Sequence, residues 1–156
     1  MTIDIDVADP GWAECPDIAT CVERAAKAGR TAALGGGASA SVAVRLSADE
    51  EVRRLNRTFR GKDAPTNVLS FPSPPEEEHG QFAEEPGMGD IILALETVRR
   101  EAEIDGKNFE SHVAHLVVHG VLHLAGYDHE EPEDAEKMES LEIEVLRGLG
   151  IANPYA

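Results

Sequence analysis

The stretch "NFESHVAHLVVHGVLHLAG", residues 108–126, decides the fold. At 100° per residue, its apolar side chains cover almost the whole circumference of a helix, and its histidines form a single narrow stripe. A helix with so little polar surface is buried, so we expect it to lie in the core of the protein. Unpaired imidazoles are costly in the core, so the stripe predicts a functional site.

The histidine stripe consists of His112, His115, His119 and His123. His119 and His123 are four residues apart, the spacing at which two histidines of one helix bind the same metal ion. His115, one turn earlier, could support the site from behind or face a cleft, or it could simply pack or be exposed. His112 has a similarly weak claim.

The residues after the helix supply a third candidate ligand. Gly126 can adopt a positive φ, which would end the helix and return His129 to His119 and His123. The spacing resembles that of one class of zinc proteases, but those enzymes carry a glutamate where this chain has Gly120. Three nitrogen ligands with an open fourth position favour zinc, one ion per chain. The alternative is core or capping histidines that share a face.

The remaining pattern predicts an α+β fold with the order β-α-β-α-β-β-α-α-α. The predicted strands cover residues 2–7, 41–46, 67–71 and 90–95. The predicted helices cover residues 16–29, 47–59, 97–104, 108–126 and 132–150. We expect one domain, residues 1–156, in which helices pack on a four-stranded mixed sheet around the buried histidine-bearing helix.

Local signals predict where several elements begin and end. Pro16 is expected in the first turn of its helix and Gly29 at the end. Ser47 and Glu50 have the spacing of a capping box. The segment 72–89, rich in Pro, Glu and Gly, predicts an exposed loop. The last helix is expected to bury a stripe made of Ala135, Met138, Leu141, Val145 and Leu149.

Charge is distributed unevenly along the chain. The formal net charge is −16, which by itself argues against a nucleic-acid partner. Residues 45–62 nevertheless carry 6 basic and 3 acidic side chains. Arg53, Arg57 and Arg60 recur there at helical spacing and are candidates for binding a phosphate backbone. An ordinary solvated helix face would give the same pattern.

The bulk composition favours a folded cytoplasmic protein. Hydrophobic residues make up 42% of the 156 residues, which is typical of a globular chain. The start, "MTIDIDVADP", lacks the features of a secretory signal, and no stretch is apolar enough for a membrane span. Cys15 and Cys21 are expected to be reduced, small core residues.

Four blocks resemble the YbeY family of bacterial rRNA maturation factors. The histidine block "HLVVHGVLHLAGYDH" (115–129) is the most specific. The blocks "LNRTFRGKDAPTNVLSFP" (55–72), "GDIILAL" (89–95) and "MESLEIEVLRGLG" (138–150) extend the resemblance over roughly residues 40–150.

The resemblance implies a cytoplasmic, zinc-dependent endoribonuclease that is specific for single strands. It implies action on rRNA and the small ribosomal subunit, in maturation of the 16S rRNA 3′ end and in ribosome quality control, without a DNA or membrane partner. It carries His119, His123 and His129 over as metal ligands and Arg60 as the functionally important arginine.

The absence of a glutamate at position 120 affects which mechanism is expected. Phosphodiester hydrolysis depends chiefly on charge stabilisation and positioning, so a metal and Arg60 could carry much of it. Arg60 could bind phosphate oxygens with two donors, and Arg53 and Arg57 could bind the substrate. Asp128 could orient a histidine or merely form a turn.

Two other functions stay open. A zinc peptidase would need a base from elsewhere, such as Asp63 or Asp90. A non-catalytic ribosome-assembly factor with a structural zinc would need a fourth protein ligand, such as Asp128 or a neighbouring histidine.

Overall fold

The structure is a computed structural model that describes residues 3–36, 40–73 and 87–155. In these ranges the elements follow the predicted order, with one 3₁₀ helix, Pro10–Glu14, added. The strands are β1 (Ile3–Val7), β2 (Ser41–Ser47), β3 (Val68–Pro72) and β4 (Gly87–Ala94). The α-helices are α1 (Ile18–Leu34), α2 (Asp49–Arg60), α3 (Leu95–Asp105), α4 (Phe109–Leu124) and α5 (Pro132–Gly148).

The four strands form one mixed sheet in the order β1-β2-β4-β3. β2 pairs in parallel with both β1 and β4, whereas β3 runs antiparallel to β4. The apolar strand β4 is therefore central, as its sequence predicts. The α+β class with a four-stranded mixed sheet is confirmed.

Each face of the sheet carries its own hydrophobic cluster. Alternate residues of β4 divide between the two, because successive side chains of a strand point to opposite faces. Ile91 and Leu93 join the larger cluster, which contains α1, α4 and the buried side of α5. Ile92 and Ala94 join a smaller cluster under α2 that includes Val52. The histidine-bearing helix α4 thus lies in the main core, as predicted.

The predicted bounds of α1 are wrong at both ends. The helix begins at Ile18, after Pro16, and continues through Gly29 to Leu34. A Cβ atom at Gly29 would lie 3.3 Å from the Cβ atom of Val121. The glycine therefore marks a close approach of α1 to α4 rather than a helix end, and packing outweighs its low helix propensity.

The predicted capping box of α2 is also wrong. Ala48 is the N-cap, and Ser47 is the last residue of β2. The Ser47 hydroxyl donates to Glu51 Oε1 at 2.7 Å, so the serine contacts a different glutamate from the predicted Glu50. Pairing of Ser47 with Ala94 of β4 extends β2 by one residue and displaces the cap.

Most of the predicted loop 72–89 lies outside the described residues, which stop at 73 and resume at 87. Its two ends are strand instead, because Pro72 belongs to β3 and residues 87–89 belong to β4. The backbone N–H of Ser73 donates to Met88 O at 3.0 Å, so pairing between β3 and β4 continues past the predicted strand ends.

The buried face of α5 differs from the predicted stripe. Its buried residues are Met138, Glu142 and Leu146, whereas Leu141, Val145 and Leu149 are partly buried beside them. The centre of the face is rotated toward Glu142, which has no exposed surface. A charged residue in this position needs a partner, and the candidate metal centre supplies one.

Candidate metal centre

The turn after α4 brings the three predicted ligands together. The helix ends at Leu124, and Gly126 follows with φ +102°, a left-handed conformation that side chains disfavour. The chain reverses, and His129 returns beside His119 and His123. One potential ligand atom from each histidine lies within 4.8 Å of the other two. The group is thus able to hold a metal ion.

The three histidines open into a cleft of about 740 Å³. Its walls come from the end of α2, from β3, from α4 and its following turn, and from the C-terminal segment. The lining residues are Arg60, Thr66, Asn67, Val68, Ser70, Pro72, His115, Leu116, His119, His123, Leu124, Asp128, His129, Glu130 and Tyr155.

A buried carboxylate lies behind His119. Nδ1 of His119 donates a hydrogen bond to Glu142 Oε1, and the hydroxyl of Tyr155 donates to Glu142 Oε2. His115 Nε2 lies 3.2 Å from that hydroxyl and 3.6 Å from Glu142 Oε2. Since Nδ1 of His119 is occupied, its Nε2 is the nitrogen left to bind a metal.

The ionisation of these groups suits cation binding. Burial alone would raise the pKa of Glu142, but the nearby His115 and the hydrogen bonds from His119 and Tyr155 outweigh it and lower the pKa to about 2. Burial, together with the charges of His119 and His129, lowers the pKa of His123 below its ordinary value. A neutral imidazole, the form that binds metals, is therefore favoured at His123.

The other end of the histidine stripe lies away from the cleft lining. His112 is buried, with its Nε2 2.9 Å from Glu101 Oε1. The Asn67 amide also donates to Glu101, at 3.0 Å. His112 is thus held in a separate pair, and the four histidines of α4 divide between two environments.

The three arginines of α2 also separate. Arg53 donates to both carboxylate oxygens of Asp63, at 2.8 and 3.1 Å, and Arg57 lies 4.0 Å from the same carboxylate. The hydrogen bond from Arg53 lowers the pKa of Asp63. Arg60, the last residue of the helix before the left-handed Gly61, lines the cleft instead.

Arg60 is therefore the arginine of this stripe that lies with the histidines. Within the described ranges, no carboxylate forms an ion pair with it. Arg53 and Arg57 are outside the cleft lining, and their predicted contact with a substrate stays a prediction.

Asp128 takes the turn role that the sequence left open. Its Oδ1 accepts the backbone N–H groups of His129, at 2.7 Å, and Glu130, at 3.2 Å. These bonds shape the segment that returns His129 to the site.

The protease-like position next to His119 has no room for a glutamate. A Cβ atom at Gly120 would lie 3.0 Å from Cδ1 of Ile91 and 3.2 Å from the Ser70 hydroxyl oxygen. A larger side chain there would meet the sheet. The bases considered for a peptidase, Asp63 and Asp90, are also outside the cleft lining.

Sequence reasoning missed Glu142 and Tyr155. Glu142 had a signal, because it lies four residues after Met138 and four before Leu146, on the face that α5 buries. No sequence pattern indicated Tyr155, because its contact with Glu142 joins the C-terminal segment to α5.

Comparisons with known proteins show the family. Residues 14–150 match the family model described as endoribonuclease YbeY. The chain belongs to the endoribonuclease YbeY family. It is 50% identical to endoribonuclease YbeY of a Chelativorans species, over all of this chain and 94% of the relative. It is 48% identical to that of Bradyrhizobium diazoefficiens, over all of this chain and 85% of the relative.

A solved structure supports the YbeY fold as well. The solution structure of a Thermotoga maritima protein shares 30% sequence identity and superposes with a TM-score of 0.56. The match covers 96% of this chain and 92% of that protein. In the part of the chain that the structure describes, no helix is long and apolar enough to cross a membrane.

Proposed function

We propose that this chain, residues 1–156, is a single-domain, zinc-dependent endoribonuclease. His119, His123 and His129 hold one zinc ion, and Arg60 binds the phosphate at the cleavage position. The observation that carries the proposal is the convergence of three imidazoles in a cleft that Arg60 also lines. Membership of an endoribonuclease family supports RNA as the substrate.

The donor set fits zinc. Three neutral nitrogen donors are typical of catalytic zinc sites, and a carboxylate on the far nitrogen of a ligand histidine is a usual companion. When bound, zinc supplies a Lewis acid and lowers the pKa of a water molecule to about 7. His119 contributes Nε2, because Glu142 holds its Nδ1.

Arg60 supplies the second positive charge. Its planar guanidinium can donate two parallel hydrogen bonds to phosphate oxygens, where negative charge is concentrated during phosphodiester cleavage. Arg53 and Arg57 extend positive charge along α2 away from the cleft, although Asp63 partly neutralises both. We assign them a weaker role in attracting the RNA backbone.

The resemblance to rRNA maturation factors extends the proposal to a biological substrate. The chain acts in the cytoplasm on single-stranded rRNA of the small ribosomal subunit, at the 3′ end of 16S rRNA and in quality control of the subunit. Local attraction at α2 compensates for the net charge of −16.

The alternatives receive less support. A structural zinc needs a fourth protein ligand, but Asp128 accepts two backbone hydrogen bonds and His115 contacts Tyr155. A peptidase needs a base beside the metal, and Gly120 faces the sheet.

A single-turnover cleavage assay tests the proposal. Metal-free, zinc-restored and His123→Ala proteins are compared on small-subunit rRNA fragments in single-stranded and duplex form. We expect cleavage of the single-stranded fragment by zinc-restored protein, and neither metal-free protein nor His123→Ala should cleave. Equal cleavage by folded His123→Ala would contradict the assigned site. No cleavage by zinc-loaded wild type would favour the assembly factor.

A further inference from the structure

We propose that Glu142 is a positioning residue of the metal centre and that Tyr155 holds Glu142 in place. The inference rests on the proposed metal site and deepens it. Through these contacts, Glu142 of α5 and Tyr155 of the C-terminal segment together hold one candidate ligand of α4, His119.

Hydrogen bonds connect Tyr155, Glu142 and His119 in series. The Tyr155 hydroxyl donates to one oxygen of Glu142, and the other oxygen accepts Nδ1–H of His119. Glu142 has no exposed surface, and its neighbours Met138 and Leu146 are buried in the main core. The carboxylate is therefore fixed by packing as well as by hydrogen bonds.

This arrangement fixes two properties of His119. The hydrogen bond at Nδ1 selects the tautomer whose Nε2 lone pair is free, and it holds the ring plane relative to His123 and His129. The negative charge also makes the imidazole a stronger donor to a cation. Removing the charge should weaken metal binding even where the fold is retained.

Tyr155 adds a link outside the helices. Its hydroxyl also lies 3.2 Å from His115 Nε2, and the two rings meet edge to face with centroids 5.4 Å apart. The phenol hydroxyl thus contacts both His115 and Glu142. Without the hydroxyl, Glu142 Oε2 would lose its donor and the carboxylate could rotate away from His119.

The chain offers a matched control on the same helix. His112 and Glu101 form a similar histidine–glutamate pair at 2.9 Å, outside the cleft lining. Glu101→Gln removes the same charge from a buried histidine of α4 and leaves the candidate ligands untouched.

The test is zinc affinity, measured at fixed pH by competition with a chromogenic chelator, together with the melting temperature of the metal-free proteins. We expect Glu142→Gln to weaken zinc binding by about 10- to 100-fold. Tyr155→Phe should give a smaller loss in the same direction, and Glu101→Gln should bind as wild type does. His123→Ala marks the loss of the site itself.

The outcomes separate this inference from the proposed function. Wild-type affinity in folded Glu142→Gln would overturn the inference and leave the metal site standing, provided that His123→Ala loses zinc. Equal affinity in wild type and His123→Ala would overturn the proposed function. If Glu142→Gln does not fold, Tyr155→Phe decides, because unchanged affinity in that variant would overturn the inference.

Discussion

Helix α4 carries two histidine–glutamate pairs that differ in what surrounds them. His112 pairs with Glu101 and is 7% exposed, whereas Glu101 is 36% exposed. His119 pairs with Glu142, and there the burial is reversed: the histidine is 25% exposed and the glutamate 0%. In the first pair the histidine faces the protein interior, and in the second it faces the cleft.

The difference shows what makes a histidine available as a ligand. Both imidazoles have a carboxylate partner, but the pair at His119 places the carboxylate behind the ring and leaves the opposite nitrogen toward His123 and His129. A histidine that faces a cleft and whose carboxylate partner is buried is suited to metal binding. The pair at His112 links α4 to α3.

The largest expected difference is in zinc affinity, between variants that lack His119 and variants that lack His112. We predict that His119→Ala weakens zinc binding by more than about 100-fold, because a ligand is lost. His112→Ala should keep zinc affinity and lower the melting temperature, since Glu101 and the core lose a contact. Zinc titration and thermal unfolding of both variants check this. Weaker zinc binding by folded His112→Ala would remove the distinction between the pairs.

The next effect concerns Arg60, which lines the cleft together with His119. Arg60→Glu should lower single-turnover cleavage by about 100-fold or more and leave zinc content unchanged, because repulsion replaces charge stabilisation. Arg60→Lys keeps the charge but loses the planar pair of donors, so it should be impaired less.

Arg54→Glu is the control for Arg60→Glu, because it makes the same charge change on α2 outside the cleft lining. Arg53→Glu and Arg57→Glu should chiefly weaken RNA binding and reduce its salt dependence. Full cleavage by folded, zinc-loaded Arg60→Glu would remove Arg60 from the mechanism.

A smaller effect is expected at Gly120, the residue directly after His119. Gly120→Val should destabilise the protein by about 1–3 kcal/mol, because the new side chain meets Ile91 and Ser70. Urea unfolding of the metal-free protein measures it, with Gly148→Val, at the end of α5 where a Cβ meets nothing within 4 Å, as the control. Equal stability of both variants would show that α4 does not need this close approach.

The smallest effect is expected at Cys15, whose thiol donates a hydrogen bond to Glu110 of α4. Burial and the hydrogen bond to Glu110 raise the pKa of Cys15 to about 11, and burial raises that of Cys21. A pKa of about 11 keeps Cys15 in the unreactive thiol form at about pH 8, so it should react more slowly with a disulfide reagent in the folded protein than in urea. The raised pKa of Cys21 should slow its reaction in the same direction. The rate should rise as pH approaches 11.

Glu110→Gln is the internal comparison, since removing the charge should lower the pKa of Cys15 and speed its reaction at pH 8. The same rate for native and unfolded protein at that pH would contradict the assigned environment.

The sequence predicts that His119, His123 and His129 come together because their geometry is local. His119 and His123 belong to one helix, and Gly126 and His129 to the turn directly after it, so helical periodicity and one glycine suffice to place them. The order of strands and helices follows in the same way from local patterns.

Features that depend on packing between elements could not be predicted. Gly29 looks like a helix end until α4 is placed against α1. Asp63 reaches Arg53 because the chain turns at Gly61, and this contact separates Arg53 from Arg60. The contact between Tyr155 and Glu142 depends on how the C-terminal segment packs against α5.

Anomalous diffraction from crystals of zinc-loaded protein, recorded on both sides of the zinc absorption edge, tests the assigned metal centre. We predict one zinc peak per chain, bound by His119 through Nε2, by His123 and by His129, with no fourth protein ligand. No peak among these histidines, or a fourth protein side chain on the metal, would contradict it.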